Sequence, residues 1–137
     1  MAHVDDCRLV QIRTINDERG SISFAETGVD FDFPILRAYW TYGVPPGASR
    51  AGHAHLQLQQ LYVAVTGAFD VSMDDGTHQR TVRLTHPGEG LLMTPGIWRE
   101  LHHFTPGAGL LVLASALFDE ADYIREHADF MRWAKRG

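Results

Sequence analysis

The sequence predicts an all-β fold, an antiparallel barrel or sandwich with one C-terminal helix. Two observations indicate this class. Glycine and proline recur singly or in pairs at short intervals between apolar runs, which is typical of many short strands joined by turns. The last stretch, DEADYIREHADFMRWAKR, changes to helical periodicity. No repeat, low-complexity tract or linker divides the chain, so residues 1–137 are expected to form a single domain.

The strands are predicted from apolar or alternating runs bounded by turn residues. They fall at residues 8–13, 21–26, 35–42, 60–66, 69–73, 80–84, 91–94 and 110–116. Hairpin turns are expected at Thr66-Gly67 and at Asp74-Asp75-Gly76. A further strand is expected to carry the histidines of the stretch RAGHAHLQLQQLYVAVTG.

The final segment is predicted to be one helix that packs on the strands. Asp119 can cap its start, acidic residues open it and basic residues close it. The apolar and aromatic residues at helical spacing are Tyr123, Ile124, His127, Phe130, Met131 and Ala134.

Size and charge exclude several classes of protein. A chain of 137 residues is long enough to bury roughly two-thirds of its unfolded surface, so it needs no disulfide or metal to fold. The single cysteine, Cys7, cannot form an internal bridge, and no signal-like segment opens the chain, so a cytoplasmic location is expected. No apolar run reaches the ~20 residues of a membrane span. The net charge of −5, with both signs interspersed, lacks the basic footprint of a nucleic-acid binder.

Two histidines, His53 and His55, are the main candidates for chemistry. Side chains two residues apart on a strand share a face, so both imidazoles are expected to point into the interior of the fold and to meet one ligand. Burial of two imidazoles costs desolvation free energy that aliphatic residues would avoid, which argues against simple packing. We therefore favour general acid–base catalysis as the role of the two histidines, ahead of packing and metal binding.

The surrounding motifs resemble those of the cupin barrels. Residues 47–67 match the first cupin motif, with Gln60 where a glutamate normally stands. The stretch GEGLLMTPGIWRELHHF resembles the second motif, but Trp98, Arg99 and Glu100 occupy the place of its metal-binding histidine. An amide is a poor ligand for a divalent cation and an arginine repels one. The resemblance implies an RmlC-like jelly-roll barrel that holds no metal.

A closer resemblance is to the dTDP-sugar 3,4-ketoisomerases of the FdtA/QdtA type, with their WxcM-like cupin domain. The matching segments are RGSISFAE, FPILRAYW, HAH with the following Q, VTGAFDVSMDDG, GLLMTPGIWRELHHF, LLVLAS and DEADYIREHADF, in order along nearly the whole chain. The resemblance implies an isomerase that converts dTDP-4-keto-6-deoxyglucose to a 3-keto sugar, for the biosynthesis of a 3-amino-deoxysugar. It also implies that no cofactor is used and that homodimers exchange N-terminal strands.

The resemblance also implies roles for individual residues. Moving the ketone from C4 to C3 requires a base at C3 and a proton donor at C4. We expect His53 to be the base and His55 to relay or deliver the second proton, although the roles could be exchanged. Tyr39, Arg99 and the Gln60 amide are candidates to stabilise the enediol oxygens.

The nucleotide end of the substrate requires cations. Arg19 and Arg50 are expected to bind the diphosphate, because a guanidinium matches phosphate oxygens. Glu100, next to Arg99, is a further candidate for binding the substrate. Arg19 and Arg99 are the candidates for control of the configuration at C4, and the aromatic residue that stacks on the thymine is left open.

Three alternatives remain at this point. A dTDP-4-keto-6-deoxyglucose 3,5-epimerase would share the base and the arginines. A non-catalytic cupin would bind the sugar nucleotide without converting it. A metal-dependent cupin would need ligands from Glu100, His102 or His103, and is disfavoured by Gln60 and Arg99.

Overall fold

The computed structural model describes residues 1–136, which form twelve strands and one α-helix. The strands are β1 (Leu9–Gln11), β2 (Arg13–Asp17), β3 (Gly20–Phe24), β4 (Arg37–Thr41), β5 (Arg50–His55), β6 (Gln60–Thr66), β7 (Phe69–Asp74), β8 (Gln79–Leu84), β9 (Glu89–Met93), β10 (Trp98–His102), β11 (Gly109–Ala114) and β12 (Tyr123–Ile124). The helix α1 spans His127–Arg136, and short 3-10 turns lie at Val4–Asp6 and Glu120–Asp122.

Two five-stranded sheets form the body of the fold. Their strand orders are β1-β9-β6-β11-β4 and β12-β5-β10-β7-β8, and every pairing between their strands is antiparallel. The main core lies between the sheets, because residues from both contribute to one buried cluster. Its members include Tyr62, Leu91 and Leu110 from the first sheet and Phe69, Val71 and Leu101 from the second.

The all-β prediction is confirmed, and the jelly roll takes the form of two facing sheets. Residues 1–136 contain no continuous hydrogen-bonded barrel, since the ten main strands form two separate sheets. The outer face of the first sheet is also covered. Phe31 and Phe33 lie in the segment before β4 and pack there against Leu61 and Val63 of β6.

The predicted strands are all present, with ends that shift by at most two residues. Three strands were missed, β2, β10 and β12. β2 is short, polar and mostly exposed, so it lacks the apolar alternation of a strand that faces a core. β10 has the sequence WRELH. Because its arginine is buried, the strand lacks the alternation of apolar and polar residues that would identify it in the sequence.

The prediction of one long C-terminal helix is wrong in its first half. Asp119 does cap a helical turn, by accepting a hydrogen bond from the backbone N–H of Ala121, but that turn ends at Asp122. Tyr123 and Ile124 then pair as β12 with the free edge of β5. Backbone hydrogen bonds to this edge outweigh the helical pattern of the side chains.

The second half of the segment is helical as predicted. Helix α1 buries Phe130 against Ala54 of β5 and Trp98 of β10, and Met131 and Ala134 pack around them. The helix therefore covers the outer face of the strand that carries the two histidines.

A separate hairpin of β2 and β3 projects from the two sheets. It pairs only with itself, and its side chains are mostly exposed. Ile15 and Ile22, which are register partners, are 58% and 66% exposed. A two-stranded hairpin is only marginally stable alone, so it is unusual for one to leave two large apolar side chains exposed to solvent.

Among the described residues, no helix is long and apolar enough to cross a membrane.

Candidate active site

The two histidines lie side by side on β5, between β10 and β12. His53 is the register partner of Arg99 on β10, and His55 is the register partner of Tyr123 on β12. Their ring centroids are 4.8 Å apart, with one ring edge toward the other. Their spacing of two residues therefore places both imidazoles on one face, as the sequence predicts.

A carboxylate fixes the orientation of His55. Its Nδ1 lies 3.0 Å from Oδ2 of Asp122, and the same carboxylate accepts backbone N–H groups of Gln57 and Leu58. A carboxylate can only accept, so Nδ1 carries the proton and Nε2 keeps a free lone pair. The Nε2 atoms of His53 and His55 are both buried without a protein partner. Two unpaired imidazole nitrogens side by side are typical of a site that binds a ligand or accepts a proton.

Both histidines are neutral at physiological pH. Burial, together with the positive charge of Arg99, lowers the pKa of His53 to about 3. Burial likewise lowers the pKa of His55 to about 3, with the charges of Arg99 and Arg37 acting in the same direction. A neutral imidazole can accept a proton, so the resting site contains bases rather than acids.

A buried cation, Arg99, causes part of the fall in the pKa values of the two histidines. Arg99 is fully buried and has no carboxylate partner among residues 1–136. Its Nη1 donates to Gln60 Oε1 at 2.7 Å and to the hydroxyl of Tyr62 at 3.1 Å, and its Nε donates to the carbonyl of Ile97. Nη2 has no partner. An unpaired buried charge is costly, which indicates that it serves a function other than stability.

Gln60 connects this cation to Tyr39. The Nε2 group of Gln60 donates to the Tyr39 hydroxyl oxygen at 2.9 Å. Gln60 itself has no exposed surface. Burial raises the pKa of Tyr39 well above its usual value, so the phenol stays protonated.

An open cavity of about 470 Å³ lies in front of these groups. His53, Tyr39 and Tyr62 form part of its wall, as do three arginines, Arg37, Arg50 and Arg125. The remaining lining residues are Thr41, Ser49, Ala51, Leu101, Leu110 and Tyr123. A cavity with several cations and few apolar walls is suited to a polar anion of small-molecule size.

A second cavity of about 190 Å³ lies behind His55. It is lined by His55, Asp122, Tyr123 and Arg37, together with residues of the segment that follows β11. His53 and His55 therefore face different cavities, and Arg37 and Tyr123 border both.

Sequence reasoning missed two arginines and the Asp122 carboxylate. The Arg37 guanidinium lies over the rings of Tyr39 and Phe118, and its buried Nε has no partner. Arg125 lies over the ring of Tyr123 at 4.1 Å and pairs with Glu120. Asp122 and Arg125 fall within the segment DYIR, whose resemblance was noted without assigning them a role. Arg37 falls within the segment FPILRAYW, whose resemblance was likewise noted without assigning it a role.

The structure brings together six of the eight candidate residues. His53, Tyr39 and Arg50 line the main cavity, and His55, Gln60 and Arg99 lie behind that wall.

The other two candidates, Arg19 and Glu100, lie outside both cavities. Arg19 sits at the tip of the β2–β3 hairpin, 86% exposed, and pairs with Asp17. Glu100 points to the other face of β10 from Arg99, where its carboxylate accepts from the indole N–H of Trp98 at 2.8 Å.

The residues around the histidine pair do not fit a divalent cation. The oxygen of Gln60 already accepts from Arg99, whose positive charge would repel a metal at this point. Within residues 1–136, the cluster with donor atoms close enough for a metal is His3, Asp75 and His78, at the N-terminus. Its donors are engaged otherwise, because both oxygens of Asp75 accept backbone N–H groups and Nδ1 of His3 accepts from Asp5.

With its facing sheets and its histidine pair on β5, the chain is a protein of the cupin fold, as its motifs predict. The model of the family described as FdtA, WxcM-like, C-terminal matches residues 5–135. A curated relative, the TDP-4-oxo-6-deoxy-α-D-glucose-3,4-oxoisomerase of Aneurinibacillus thermoaerophilus, is 33% identical over 126 residues, 92% of this chain and 91% of the relative.

Solved structures agree with this assignment. A 3,4-ketoisomerase from Helicobacter canadensis superimposes with a TM-score of 0.92 at 34% identity, over 95% of this chain and 98% of the other. QdtA, a sugar 3,4-ketoisomerase from Thermoanaerobacterium thermosaccharolyticum solved with TDP, superimposes with a TM-score of 0.94 at 31% identity, over 98% of both chains. A histidine-to-asparagine variant of QdtA was solved with TDP-4-keto-6-deoxyglucose. This chain belongs to the FdtA family of WxcM-like proteins.

Proposed function

We propose that this protein is a dTDP-sugar 3,4-ketoisomerase that converts dTDP-4-keto-6-deoxyglucose to the corresponding 3-keto sugar without a metal. The observation that carries the proposal is the histidine pair with free Nε2 atoms, next to a cation-lined cavity, in a chain whose relatives are 3,4-ketoisomerases. The misfit of Gln60 and Arg99 to a divalent cation supports the metal-free form of the reaction.

The reaction exchanges two protons within one sugar ring. The neighbouring C4 carbonyl makes the C3 proton acidic. When this proton leaves, the electron pair of the C3–H bond forms the C3–C4 double bond of an enediolate. A proton is then added at C4, while the proton of the C3 hydroxyl is lost and the C4 oxygen gains one. The product has its carbonyl at C3, and no oxidant or reductant is consumed.

His53 is the proposed base, because it is the histidine that lines the main cavity. Its neutral imidazole takes the C3 proton and becomes an imidazolium beside the newly formed negative charge. His55 is 4.8 Å away between ring centroids and holds a free Nε2, so it is the proposed relay for this proton. Asp122 stabilises the charged form of His55 through Nδ1.

The enediolate oxygens need hydrogen-bond donors. Tyr39 and Tyr62 present hydroxyl groups on the cavity wall, and Arg99 lies directly behind them. Donors that are fixed before the reaction stabilise developing charge more strongly than water does. A protonated Tyr39 can donate to the C4 oxygen and accept from the C3 hydroxyl.

The diphosphate is proposed to bind at the arginine side of the same cavity. Arg50, predicted from the sequence, is joined there by Arg37 and Arg125. Each guanidinium can offer a pair of N–H donors to phosphate oxygens. A thymine nucleotide is proposed from the ligands of the relatives, TDP and TDP-4-keto-6-deoxyglucose.

A homodimer that exchanges N-terminal strands is also proposed. The β2–β3 hairpin pairs with neither sheet of its own chain and exposes Ile15 and Ile22. A hairpin seated on a partner subunit would cover these side chains and would carry Arg19 toward the partner's cavity. Because sugar nucleotides are cytoplasmic metabolites, we place the enzyme in the cytoplasm.

The direct test is an NMR time course of the purified protein with dTDP-4-keto-6-deoxyglucose. Growth of a C3 carbonyl signal supports the ketoisomerase. Inversion at C5 would instead identify a 3,5-epimerase. An unchanged sugar, in a protein that still binds dTDP, would identify a non-catalytic binding protein.

A further inference from the structure

We infer that Gln60 is a positioning residue: held by Arg99, it directs the hydroxyl proton of Tyr39 into the cavity. The inference deepens the proposed function and rests on it, since the proton would meet the oxygen that becomes charged in the reaction. Gln60 itself does not line the cavity, so it acts through Tyr39.

The direction of the Gln60 amide follows from its neighbours. A guanidinium has only donors, so the amide atom 2.7 Å from Arg99 Nη1 must be the oxygen. The nitrogen end then faces the Tyr39 hydroxyl at 2.9 Å and donates to it. Flipping the amide would set N–H against N–H at Arg99, which leaves two buried donors unpaired.

The direction of the Tyr39 hydroxyl follows in turn. Its oxygen accepts the Gln60 N–H, so its own hydrogen cannot point to Gln60. Tyr39 lies on the wall of the main cavity, and no other group within residues 1–136 accepts from it. The free side of the hydroxyl therefore faces the space where the sugar is proposed to bind. Burial keeps the phenol protonated, since it raises the pKa of Tyr39.

A glutamate at position 60 would reverse this arrangement. A carboxylate cannot donate, so it would accept the Tyr39 proton and turn the lone pairs of the hydroxyl toward the cavity. It would also pair with Arg99, whose positive charge has a smaller effect on the pKa values of the two histidines than their burial has. The Gln60 amide therefore keeps the Tyr39 hydrogen directed into the cavity and leaves Arg99 without an ionic partner.

The test compares Gln60→Glu, Tyr39→Phe and the double variant. Gln60→Glu keeps the side-chain volume and gives Arg99 an ionic partner, so the fold is expected to survive. If Gln60 acts through Tyr39, each single variant lowers kcat by about 10²-fold with little change in KM. The double variant is then no more than about threefold slower than the slower single variant. Gln79→Glu, the same change at an exposed position on β8, should leave kcat unchanged.

Two outcomes would overturn the inference: a Gln60→Glu enzyme with kcat close to that of the unchanged protein, or losses in kcat that multiply in the double variant. A second readout needs no turnover. In protein labelled with ¹⁵N at glutamine, Tyr39→Phe should shift the side-chain NH₂ signal of Gln60, which is assigned by its loss in Gln60→Glu. An NH₂ signal that ignores Tyr39→Phe would also overturn the inference, because the nitrogen would then not face the tyrosine.

These readouts separate this inference from the proposed function. If the unchanged protein does not isomerise the sugar, the proposed function fails and the NMR result alone decides the role of Gln60. If the sugar is converted but Gln60 and Tyr39 behave independently, the function stands and the positioning role fails.

Discussion

His55 Nδ1 donates to the carboxylate of Asp122 at 3.0 Å, across 67 residues of sequence. This contact ties β5 to the turn before β12 and leaves Nε2 of His55 as the free proton acceptor. The remaining oxygen lone pairs of Asp122 accept the backbone N–H groups of Gln57 and Leu58, so the carboxylate itself is held in place. The proton on His55 is therefore positioned by the fold before any substrate binds.

Asp122→Asn should impair the relay without unfolding the protein. The amide oxygen can still accept from Gln57, but the NH₂ group would replace the oxygen that accepts from Leu58 and from His55 Nδ1, and it would force His55 into the opposite tautomer. We expect kcat to fall by roughly 10²-fold or more with KM nearly unchanged, measured by steady-state kinetics. Asp70→Asn is the matched control, because Asp70 also pairs with a histidine, His103, and lines neither cavity. Equal kcat values for the two variants would remove Asp122 from the mechanism.

The buried histidines should make the protein sensitive to acid. In the folded protein the pKa of His53 is about 3, below its ordinary value of 6.5, so the unfolded chain binds a proton that the folded chain does not between these values. The free energy of unfolding therefore falls as the pH falls from about 6.5 toward 3, by at most about 1.4 kcal/mol per pH unit for each such histidine.

Urea denaturation at a series of pH values measures this loss. His53→Asn, which cannot take up the proton, should lose less stability than the unchanged protein between pH 6.5 and pH 5. Parallel curves for the two proteins would mean that His53 has the same pKa in the folded and in the unfolded chain.

Arg37 should contribute to binding of the nucleotide. Arg37→Met removes one cation from the cavity wall, and we expect the Kd for dTDP to rise by roughly 10- to 100-fold, since a hydrogen bond to a charged group contributes about 1.5–3 kcal/mol. Isothermal titration calorimetry measures the change. Arg83→Met provides the control, because Arg83 pairs with Asp70 away from the cavity. A Kd that matches that of Arg83→Met would place the diphosphate elsewhere.

Mixed dimers can test whether Arg19 acts on the partner subunit. We expect Arg19→Glu and His53→Asn each to be nearly inactive alone. If the hairpin is exchanged, a dimer of the two variants contains one complete site, formed by His53 of the Arg19→Glu chain and Arg19 of the His53→Asn chain. Activity should therefore return when the variants are co-expressed and assayed together. Without a gain over the single variants, Arg19 either serves its own chain or serves no site.

The sequence was sufficient to predict the parts of the fold that depend on local patterns. Apolar alternation and turn residues located most strands, and the spacing of His53 and His55 placed both rings on one face. The same local patterns gave a wrong start for the helix. The side chains of Tyr123 and Ile124 fit a helix, but their backbone groups complete the edge of β5, which is distant in sequence.

The candidate site was predictable where a residue type was unusual in its place, as Gln60 and Arg99 are in the cupin motifs. It was not predictable where the chemistry depends on contacts between distant segments. Asp122 looks like a surface acid in the sequence, and only the approach of its turn to β5 gives it a histidine partner. Arg37 looks like the polar position of an alternating strand, and only the cavity between the sheets shows it beside Tyr39.

The central claim is that His53 moves a proton between C3 and C4 without the help of a metal. Its most direct test is the NMR time course with dTDP-4-keto-6-deoxyglucose, run with and without EDTA and repeated with His53→Asn. The account predicts that the C3 carbonyl signal grows at the same rate in both buffers and does not appear with His53→Asn, although that variant still binds dTDP. Loss of the signal in EDTA, or its undiminished growth with His53→Asn, would contradict the account.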